Sequence, residues 1–167
     1  MKELLVDYIE SPIGKIIIVV DEGKMCALDF EGYEERMMKM LKRRYTDVQL
    51  TQVDNPHGFS ARVKDYLAGD YKSLDAIPVS TGGTPFQQQV WNALREIPTG
   101  HTFTYSQLAE KIGRPKAVRA VGMTNSLNPI AIVLPCHRVV GANASLTGYA
   151  GGLERKDWLL RHEGARL

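Results

Sequence analysis

Residues 104–127 read TYSQLAEKIGRPKAVRAVGMTNSL, and this stretch decides how the second half of the chain folds. Thr104, with a glutamine three residues later, has the capping-box form that begins a helix. Gly113 ends that helix, and a second helix is predicted to start at Pro115 and to run to about Leu127. Two short helices joined by a glycine-containing turn form a helix-turn-helix. Helical hairpins that never meet DNA have the same pattern, so the pattern alone leaves DNA binding open.

The segment before this motif indicates a domain boundary. Residues 84–87 read TPFQ, a second capping box with proline at the first helical position, and predict a helix that continues to Ile97. The four residues before it read STGG, which is typical of a linker. We therefore predict a structural α/β domain over residues 1–80 and a second domain over residues 84–167, which we expect to bind DNA and to carry the reactive cysteine.

The first half of the chain alternates strand and helix patterns. Residues 15–20 are β-branched, and with residues 4–9 and 25–30 they predict a small antiparallel sheet. Apolar residues at helical spacing predict helices over residues 33–45 and 59–67. The predicted fold class is therefore α+β: a small antiparallel sheet with helices, followed by a helical domain that contains a winged helix-turn-helix.

Composition and charge limit the class of protein. The 167 residues are 44% hydrophobic and 24% charged, as in a globular protein. Residues 1–83 carry 11 Lys and Arg against 14 Asp and Glu, whereas residues 84–167 carry 10 against 5. A basic second half suits a polyanion such as DNA, although a solvated basic face is equally common.

Several classes of site and location are not expected. No apolar run approaches a membrane span, and the first residues do not resemble a signal peptide, so we expect a cytoplasmic protein without a membrane partner. Two cysteines are too few for a disulfide framework. The histidines and cysteines lack metal-ligand spacing, so we expect neither a metal nor a cofactor.

Cys136 is the candidate nucleophile. It lies in the stretch Pro135-Cys136-His137-Arg138, after the apolar run 130–134, which predicts a buried strand or a tight core segment. A neighbouring imidazole and guanidinium could stabilise its thiolate, the form in which cysteine acts as a nucleophile. The alternative is a buried structural cysteine.

His137 is the candidate base. Neighbours in an extended chain point to opposite sides, so a water or a sharp turn must relay the proton from Cys136. A third group normally orients such a base, and we choose Glu163, at the end of the last helix, although spacing alone does not prove this choice.

Six motifs in order along the chain resemble those of the O6-alkylguanine-DNA alkyltransferases. They cover residues 84–164, and the N-terminal half has a compatible length and layout, especially with bacterial members. The motifs are IVLPCHRVV at 132–140, TPFQ at 84–87, YSQLA at 105–109, RAVG at 119–122 with Asn128-Pro129, GYAGG at 148–152 and WLLRHEG at 158–164.

The resemblance implies a DNA repair protein that uses its own cysteine as a reagent. It would flip O6-alkylguanine, and O4-alkylthymine, out of double-stranded DNA through the minor groove and transfer the alkyl group irreversibly, once per molecule. Cys136 would accept the group, His137 would act as base through a water, and Glu163 would orient His137. Asn128 would be the hinge between the recognition helix and the active site. We expect a monomer in solution, and cooperativity on DNA stays open.

The resemblance also implies residues that contact DNA and the flipped base. Arg119 would fill the duplex when the base leaves, and Tyr105 would press on the target phosphate and could donate a proton to the guanine. The other implied DNA contacts are Lys116, Val118, Ala120 and Arg138. The implied base pocket consists of Ala131, Val139, Gly148, Tyr149 and Ala150.

The chain departs from some members of the family. Some bind zinc through cysteines and histidines in the N-terminal half, where this chain has only Cys26 as a cysteine. Val118 replaces a frequent alanine, and Ala131 replaces a second proline, which implies a roomier pocket. One branch of the family lacks the reactive cysteine and only senses damage, and Cys136 argues against membership of that branch.

Two other classes compete with this interpretation. A helix-turn-helix regulator that senses alkylation through its cysteine would need an operator and usually a dimer. Its recognition helix would be richer in Asn and Gln than residues 116–122 are. A cysteine hydrolase would turn over many times and would need an oxyanion hole, for which the sequence gives no independent sign.

Overall fold

The computed structural model describes residues 1–165 and divides into two compact units, Met1–Gly82 and a second unit that begins at Gly83. Strands and one sheet dominate the first unit, and helices dominate the second. The predicted α+β class is confirmed.

The sheet of the first unit has four strands, not the predicted three. β1 (Lys2–Ile9), β2 (Ile16–Asp21) and β3 (Lys24–Phe30) pair antiparallel, and β4 (Val48–Gln52) pairs with β1 in parallel, in the order β3-β2-β1-β4. The three predicted strands pair antiparallel as expected, and the parallel strand β4 was not predicted. A parallel pair needs a long crossover, and the helix between β3 and β4 supplies part of it.

Two helices accompany this sheet at the predicted places. α1 spans Glu34–Tyr45 and α2 spans Phe59–Leu67, with short 3-10 turns at Pro56–Gly58 and Tyr71–Leu74. α1 buries its apolar side against one face of the sheet, in a cluster of Leu4, Val6, Ile17, Val19, Cys26, Ala27, Met37 and Leu41. The methionine at position 37 fills core space, as its helical spacing indicates.

Over residues 83–165, the second unit has four α-helices and one pair of very short strands. They are α3 (Pro85–Leu94), α4 (Tyr105–Lys111), α5 (Val118–Ser126) and α6 (Leu153–His162), with β5 (Phe103–Thr104) parallel to β6 (Val139–Val140). Within residues 83–165 this pair is the only strand pairing, so an antiparallel wing is absent there.

Both predicted capping boxes are formed. The hydroxyl oxygens of Thr84 and Thr104 accept from the backbone N–H groups of Gln87 and Gln107, whose side-chain oxygens accept in return. α4 and α5 form the predicted helix-turn-helix, but α5 begins at Val118, three residues later than predicted, which leaves a turn over residues 112–117. In residues 1–165 we find no helix of the length and apolar character that crossing a membrane requires.

Candidate active site

Cys136 begins a tight turn that is almost completely buried. Residues Cys136–Arg138 form one 3-10 turn, closed by the Arg138 N–H donating to the Pro135 carbonyl over 3.0 Å. Cys136 retains only 6% of its exposure. A 3-10 turn departs from the extended geometry in which consecutive side chains point to opposite sides.

The apolar run before the cysteine is a tight core segment and not a strand. Residues 130–134 are buried, and residues 131–134 form turns and a bend. Ile132 has a φ of +72°, which a β-branched residue rarely adopts. Such a conformation costs about 1–3 kcal/mol and persists only where the surroundings hold it in place.

Two asparagines at the end of α5 hold this turn. Asn128 accepts from the Ile130 N–H through Oδ1 at 2.9 Å and donates from Nδ2 to the Leu134 carbonyl at 2.7 Å. Asn125, which sequence reasoning missed, donates from Nδ2 to the Cys136 carbonyl at 3.4 Å. The cysteine turn is therefore tied directly to the second helix of the helix-turn-helix.

His137 and Glu163 form a buried pair, as the sequence suggested. Nε2 of His137 lies 2.8 Å from Oε2 of Glu163, and both side chains are fully buried. Burial lowers the pKa of His137, and the carboxylate opposes this shift without cancelling it. Burial alone would raise the pKa of Glu163, but hydrogen bonds from His137 and Arg138 outweigh it and hold that pKa below its usual range.

These shifts define the proton positions in the pair. A neutral His137 beside an ionised Glu163 carries its proton on Nε2, facing the carboxylate. Its Nδ1 then presents a lone pair, and this buried atom has no hydrogen-bond partner among residues 1–165. The pair can thus accept one proton at Nδ1 and stabilise the resulting imidazolium.

Arg138 holds Glu163 from the other side. Its Nε donates to Oε1 over 2.8 Å and its Nη2 to Oε2 over 3.0 Å, while Nη1 donates to the Ile97 carbonyl over 2.7 Å. The residue is 8% exposed. Because its guanidinium is occupied inside the protein, the expectation that Arg138 contacts DNA was wrong.

The end of α6 places Glu163. The helix ends at His162, and Gly164 adopts a left-handed φ of +78°. The N–H groups of Gly164 and Ala165 then donate to the carbonyls of Arg161 and Leu160. Such a glycine-terminated helix end stops the helix directly after the carboxylate.

A cavity of about 590 Å³ lies between the helix-turn-helix and the loop that carries Thr147 and Gly148. Cys136 is not among the residues that line it, but Asn125, which is, donates to the Cys136 carbonyl. The lining of the cavity includes four residues predicted to contact DNA or the base: Tyr105, Val118, Arg119 and Gly148. The other lining residues are Gly122, Asn125, Ser126, Gly141 and Thr147. The predicted pocket residues Ala131, Val139, Tyr149 and Ala150 do not line this cavity. Ala131 lies in the buried turn, and the Val139 carbonyl is occupied by a lysine.

That lysine, Lys156 on α6, is fully buried, and the sequence did not predict it as a site residue. Its Nζ donates to the carbonyls of Val139, Thr147 and Gly148. The signal was weak because a lysine within a charged helical segment ordinarily faces solvent. Asn125 was equally hard to find, since the sequence does not show which side of α5 meets the cysteine turn.

α5 presents a surface of basic and small residues. Arg119 and Ala120 are exposed, Val118 is half-buried, and Lys116 is exposed in the preceding turn. Met123, 64% exposed and one helical turn after Arg119, was missed because the other methionines of this chain fit a core pattern. Within residues 1–165 no group of three His, Cys, Asp or Glu residues could hold a metal ion.

Family models match both units. The model described as 6-O-methylguanine DNA methyltransferase, ribonuclease-like domain, matches residues 4–81, and the model of the DNA binding domain of the same protein matches residues 85–165. The chain belongs to the 6-O-methylguanine DNA methyltransferase family. It is an enzyme of DNA repair, a methylated-DNA–protein-cysteine methyltransferase that binds DNA and transfers an alkyl group from O6-alkylguanine to a cysteine.

Relatives of this methyltransferase family are similar over their full lengths. Methylated-DNA–protein-cysteine methyltransferases of Shigella flexneri and Salmonella typhimurium are 48% and 49% identical to the chain, covering 100% of it and 99% of each relative. The crystal structure of the O6-methylguanine methyltransferase of Mycobacterium tuberculosis has a TM-score of 0.76 and 35% identity, covering 96% of this chain and 93% of that one. A structure of the M. tuberculosis protein in complex with DNA has a TM-score of 0.75 and 36% identity, covering 95% and 92%.

Proposed function

We propose that Cys136 is the cysteine that receives the alkyl group, that His137 is its base and that Glu163 orients and stabilises His137. The observation that carries this assignment is the buried His137–Glu163 pair, directly after Cys136, whose Nδ1 faces away from the carboxylate. A base held in one tautomer by a carboxylate is the arrangement that activates a weak nucleophile.

The reaction begins with removal of the thiol proton. Nδ1 of His137 accepts it through a water, and the imidazolium is stabilised by Glu163, which Arg138 holds through two further hydrogen bonds. The Cys136 thiolate then attacks the alkyl carbon of O6-alkylguanine. The S–C bond forms, the C–O6 bond breaks, and the electron pair of the broken bond remains on the base as an oxyanion.

The leaving base must then gain a proton. Tyr105 lines the cavity and carries an O–H that can donate to the guanine as it leaves. O4-alkylthymine presents the same alkoxy carbon beside a ring nitrogen, so we include it as a substrate. Because the product thioether has no easy leaving group, each molecule reacts once.

In DNA, the alkylated base is stacked within the duplex and must first leave the stack. An alkyl carbon inside a duplex cannot be reached, and flipping the base costs a few kcal/mol. We propose that α5 enters the minor groove, with Val118 and Ala120 allowing close approach and Lys116 binding backbone phosphate. The Arg119 side chain fills the space that the base leaves, and Tyr105 presses on the target phosphate.

The remaining assignments follow the same scheme. Asn128 is the hinge that couples α5 to the cysteine turn. Gly148 borders the flipped base, and we keep Tyr149 and Ala150, which follow it in the chain, as part of the base pocket. We propose that the protein acts as a monomer in the cytoplasm, with the second unit binding DNA and the first unit structural.

The test is a titration of a duplex that carries a single O6-methylguanine. Wild-type protein is expected to restore one guanine per molecule and then to stop. Cys136→Ala is expected to restore none while it binds undamaged duplex as tightly as the wild type does. Many turnovers per molecule would favour a hydrolase, and a Cys136→Ala variant that still repairs would refute the assignment of Cys136.

A further inference from the structure

The Asn125 side chain connects the cysteine turn with the cavity. Its Nδ2 donates to the Cys136 carbonyl over 3.4 Å, and the residue also lines the cavity. Asn125 is 4% exposed, so nearly all of its polar surface is removed from solvent. The proposed alkyl transfer assigns no role to this residue.

The orientation of the Asn125 amide follows from its partner. A carbonyl oxygen only accepts hydrogen bonds, so the amide turns its NH₂ group toward the Cys136 carbonyl and its oxygen away from it. Among the described residues that line the cavity, Asn125 is the one whose buried side-chain oxygen has no hydrogen-bond partner. A buried acceptor without a donor is unfavourable, and in the wall of a binding cavity it indicates that the ligand supplies the donor.

The surroundings of Asn125 leave this acceptor to the ligand. Val118, Gly122 and Asn125 recur at spacings of four and three residues and therefore share one face of α5, which borders the cavity. Val118 and Gly122 have no polar side-chain atoms. The Ser126 hydroxyl, which also lines the cavity, is exposed and donates to the Met123 carbonyl over 2.6 Å. On this side of the cavity the Asn125 oxygen is the buried polar atom that remains for a base.

O6-alkylguanine carries one group on its Watson–Crick edge that can donate to this oxygen. Alkylation at O6 removes the N1–H, so the donor left on that edge is the exocyclic amine on C2. The amine and the alkoxy group lie at the two ends of the edge, separated by N1. A base whose alkyl carbon faces the Cys136 sulfur therefore turns its amine toward groups beside the Cys136 backbone, where the Asn125 amide lies.

O4-alkylthymine offers no such donor. Alkylation at O4 removes the N3–H, and the remaining polar group of its edge, O2, only accepts hydrogen bonds. Next to the Asn125 oxygen, O2 would place two acceptors against each other, which disfavours binding of this base. The amide oxygen can thus distinguish the two alkylated bases.

We propose that Oδ1 of Asn125 accepts a hydrogen bond from the exocyclic amine of the flipped base, and that this bond makes the protein select O6-alkylguanine over O4-alkylthymine. This inference rests on the proposed function, since it assumes that the base occupies the cavity with its alkyl group toward Cys136. Asn125 determines specificity. It contacts the substrate, but it exchanges no proton with it and forms no covalent bond.

The protein side of the test removes the acceptor. Asn125→Leu keeps the approximate volume of the side chain and removes its amide. The Cys136 carbonyl still accepts from the Val139 N–H in this variant, so the turn keeps a hydrogen bond there. The control is Asn92→Leu, the same change at an exposed position of α3.

The substrate side of the test removes the donor. Three duplexes carry O6-methylguanine, O6-methylhypoxanthine, which is the same base without its amine, or O4-methylthymine. Each modified base is placed opposite an abasic site, so that base pairing does not contribute to the comparison. The rate of methyl transfer is measured with protein in excess over DNA.

The wild type is expected to react with O6-methylguanine faster than with O6-methylhypoxanthine by about tenfold or more, because only the first base satisfies the buried acceptor. Asn125→Leu should lose this preference by reacting more slowly with O6-methylguanine alone. Its rates with the other two bases should not fall, because neither base forms the bond. Asn92→Leu should match the wild type with all three substrates.

Three results would overturn the proposal. The first is an equal rate of the wild type with O6-methylguanine and O6-methylhypoxanthine, which would show that the amine is not recognised. The second is slowing of Asn125→Leu by the same factor with every substrate, which would make Asn125 a support of the cysteine turn only. The third is a preference for O6-methylguanine that Asn125→Leu retains in full.

Two further outcomes are also decisive. If Asn125→Leu does not fold, Asn125→Ala replaces it in the same comparison, and misfolding of both variants would assign Asn125 to the fold and contradict the proposal. Absence of transfer from every substrate in the wild type would instead refute the proposed function.

Discussion

Burial fixes the chemistry of individual residues at this site. His137, Glu163 and Lys156 are titratable, yet each is enclosed by partners that determine its proton positions. The sequence suggested His137 because it follows Cys136 directly, and Glu163 because a third group normally orients such a base. It could not identify Lys156, since a lysine that is buried and one that faces solvent look alike in a helical pattern.

The first prediction concerns His137 and acid stability. Burial lowers its pKa below the ordinary 6.5, so below about pH 6.5 the unfolded chain binds a proton at this residue that the folded chain does not bind. Stability from this residue is therefore present above pH 6.5 and is lost as the pH falls through it. Glu163, whose pKa is also lowered from 4.5, adds a second loss below about pH 4.5.

The measurement is urea unfolding at pH 7.5 and at pH 5.5. The wild type should be less stable at the lower pH, and His137→Gln, which cannot titrate, should lose less over the same interval. An equal loss of unfolding free energy in the two proteins would show that His137 does not control the pH dependence of stability in this interval.

At the scale of elements, most of the proposed site residues lie at helix ends and turns and not within helices. Capping boxes and the helix-turn-helix were predictable because their signals are local. Three features were not: the start of α5 at Val118, the strand β4, and the turns over residues 130–134. The apolar run 130–134 fits a strand equally well by pattern, and only the contacts of Asn128 decide for the turn.

The second prediction concerns Arg119 on α5. Its exposed side chain lines the cavity, and base flipping opposes stacking only when the base is in a duplex. Arg119→Ala should therefore slow repair of a methylated duplex by about tenfold or more, a loss of at least 1.4 kcal/mol, and leave transfer from the free base nearly unchanged. Equal slowing with both substrates would assign Arg119 to folding.

The third prediction concerns the end of α6. Gly164 has a φ of +78°, and a Cβ there would meet nothing within 4 Å, so Gly164→Ala tests backbone conformation alone. A left-handed alanine costs about 1–2 kcal/mol, which should lower stability by that amount in urea unfolding. Gly164→Asn should cost less. An unchanged free energy of unfolding in Gly164→Ala would mean that this helix end does not constrain Glu163.

At the scale of the whole molecule, the cysteine turn and α5, the helix proposed to enter DNA, form one connected structure. Asn125 and Asn128 at the end of α5 bind carbonyls on both sides of Pro135, and the Trp91 indole donates to the Thr124 carbonyl of the same helix over 2.9 Å. The sequence suggested this connection through the Asn128 motif. It could not supply the contacts of Asn125 or Trp91, which depend on how helices pack.

The fourth prediction is that methylation destabilises the protein. Cys136 is 6% exposed in a close-packed turn, and one added methyl group there overpacks the site by roughly 1–3 kcal/mol. Because the turn is tied to α5, the strain should loosen the helix-turn-helix. Free and methylated protein should be compared by melting temperature, without DNA and at equal concentration, and the methylated form should melt a few degrees lower. An equal or higher melting temperature would mean that the site accommodates its product.

We propose that Cys136 itself receives the alkyl group, once and permanently. The most direct measurement is mass spectrometry of the protein after it reacts with a duplex containing O6-methylguanine, followed by peptide mapping. We expect a gain of one CH₂ unit, located on Cys136, that persists with excess substrate and is absent in Cys136→Ala. A methyl group on Cys26 would contradict this assignment, and so would several methyl groups per molecule. A protein that has repaired the DNA but carries no methyl group would contradict it too.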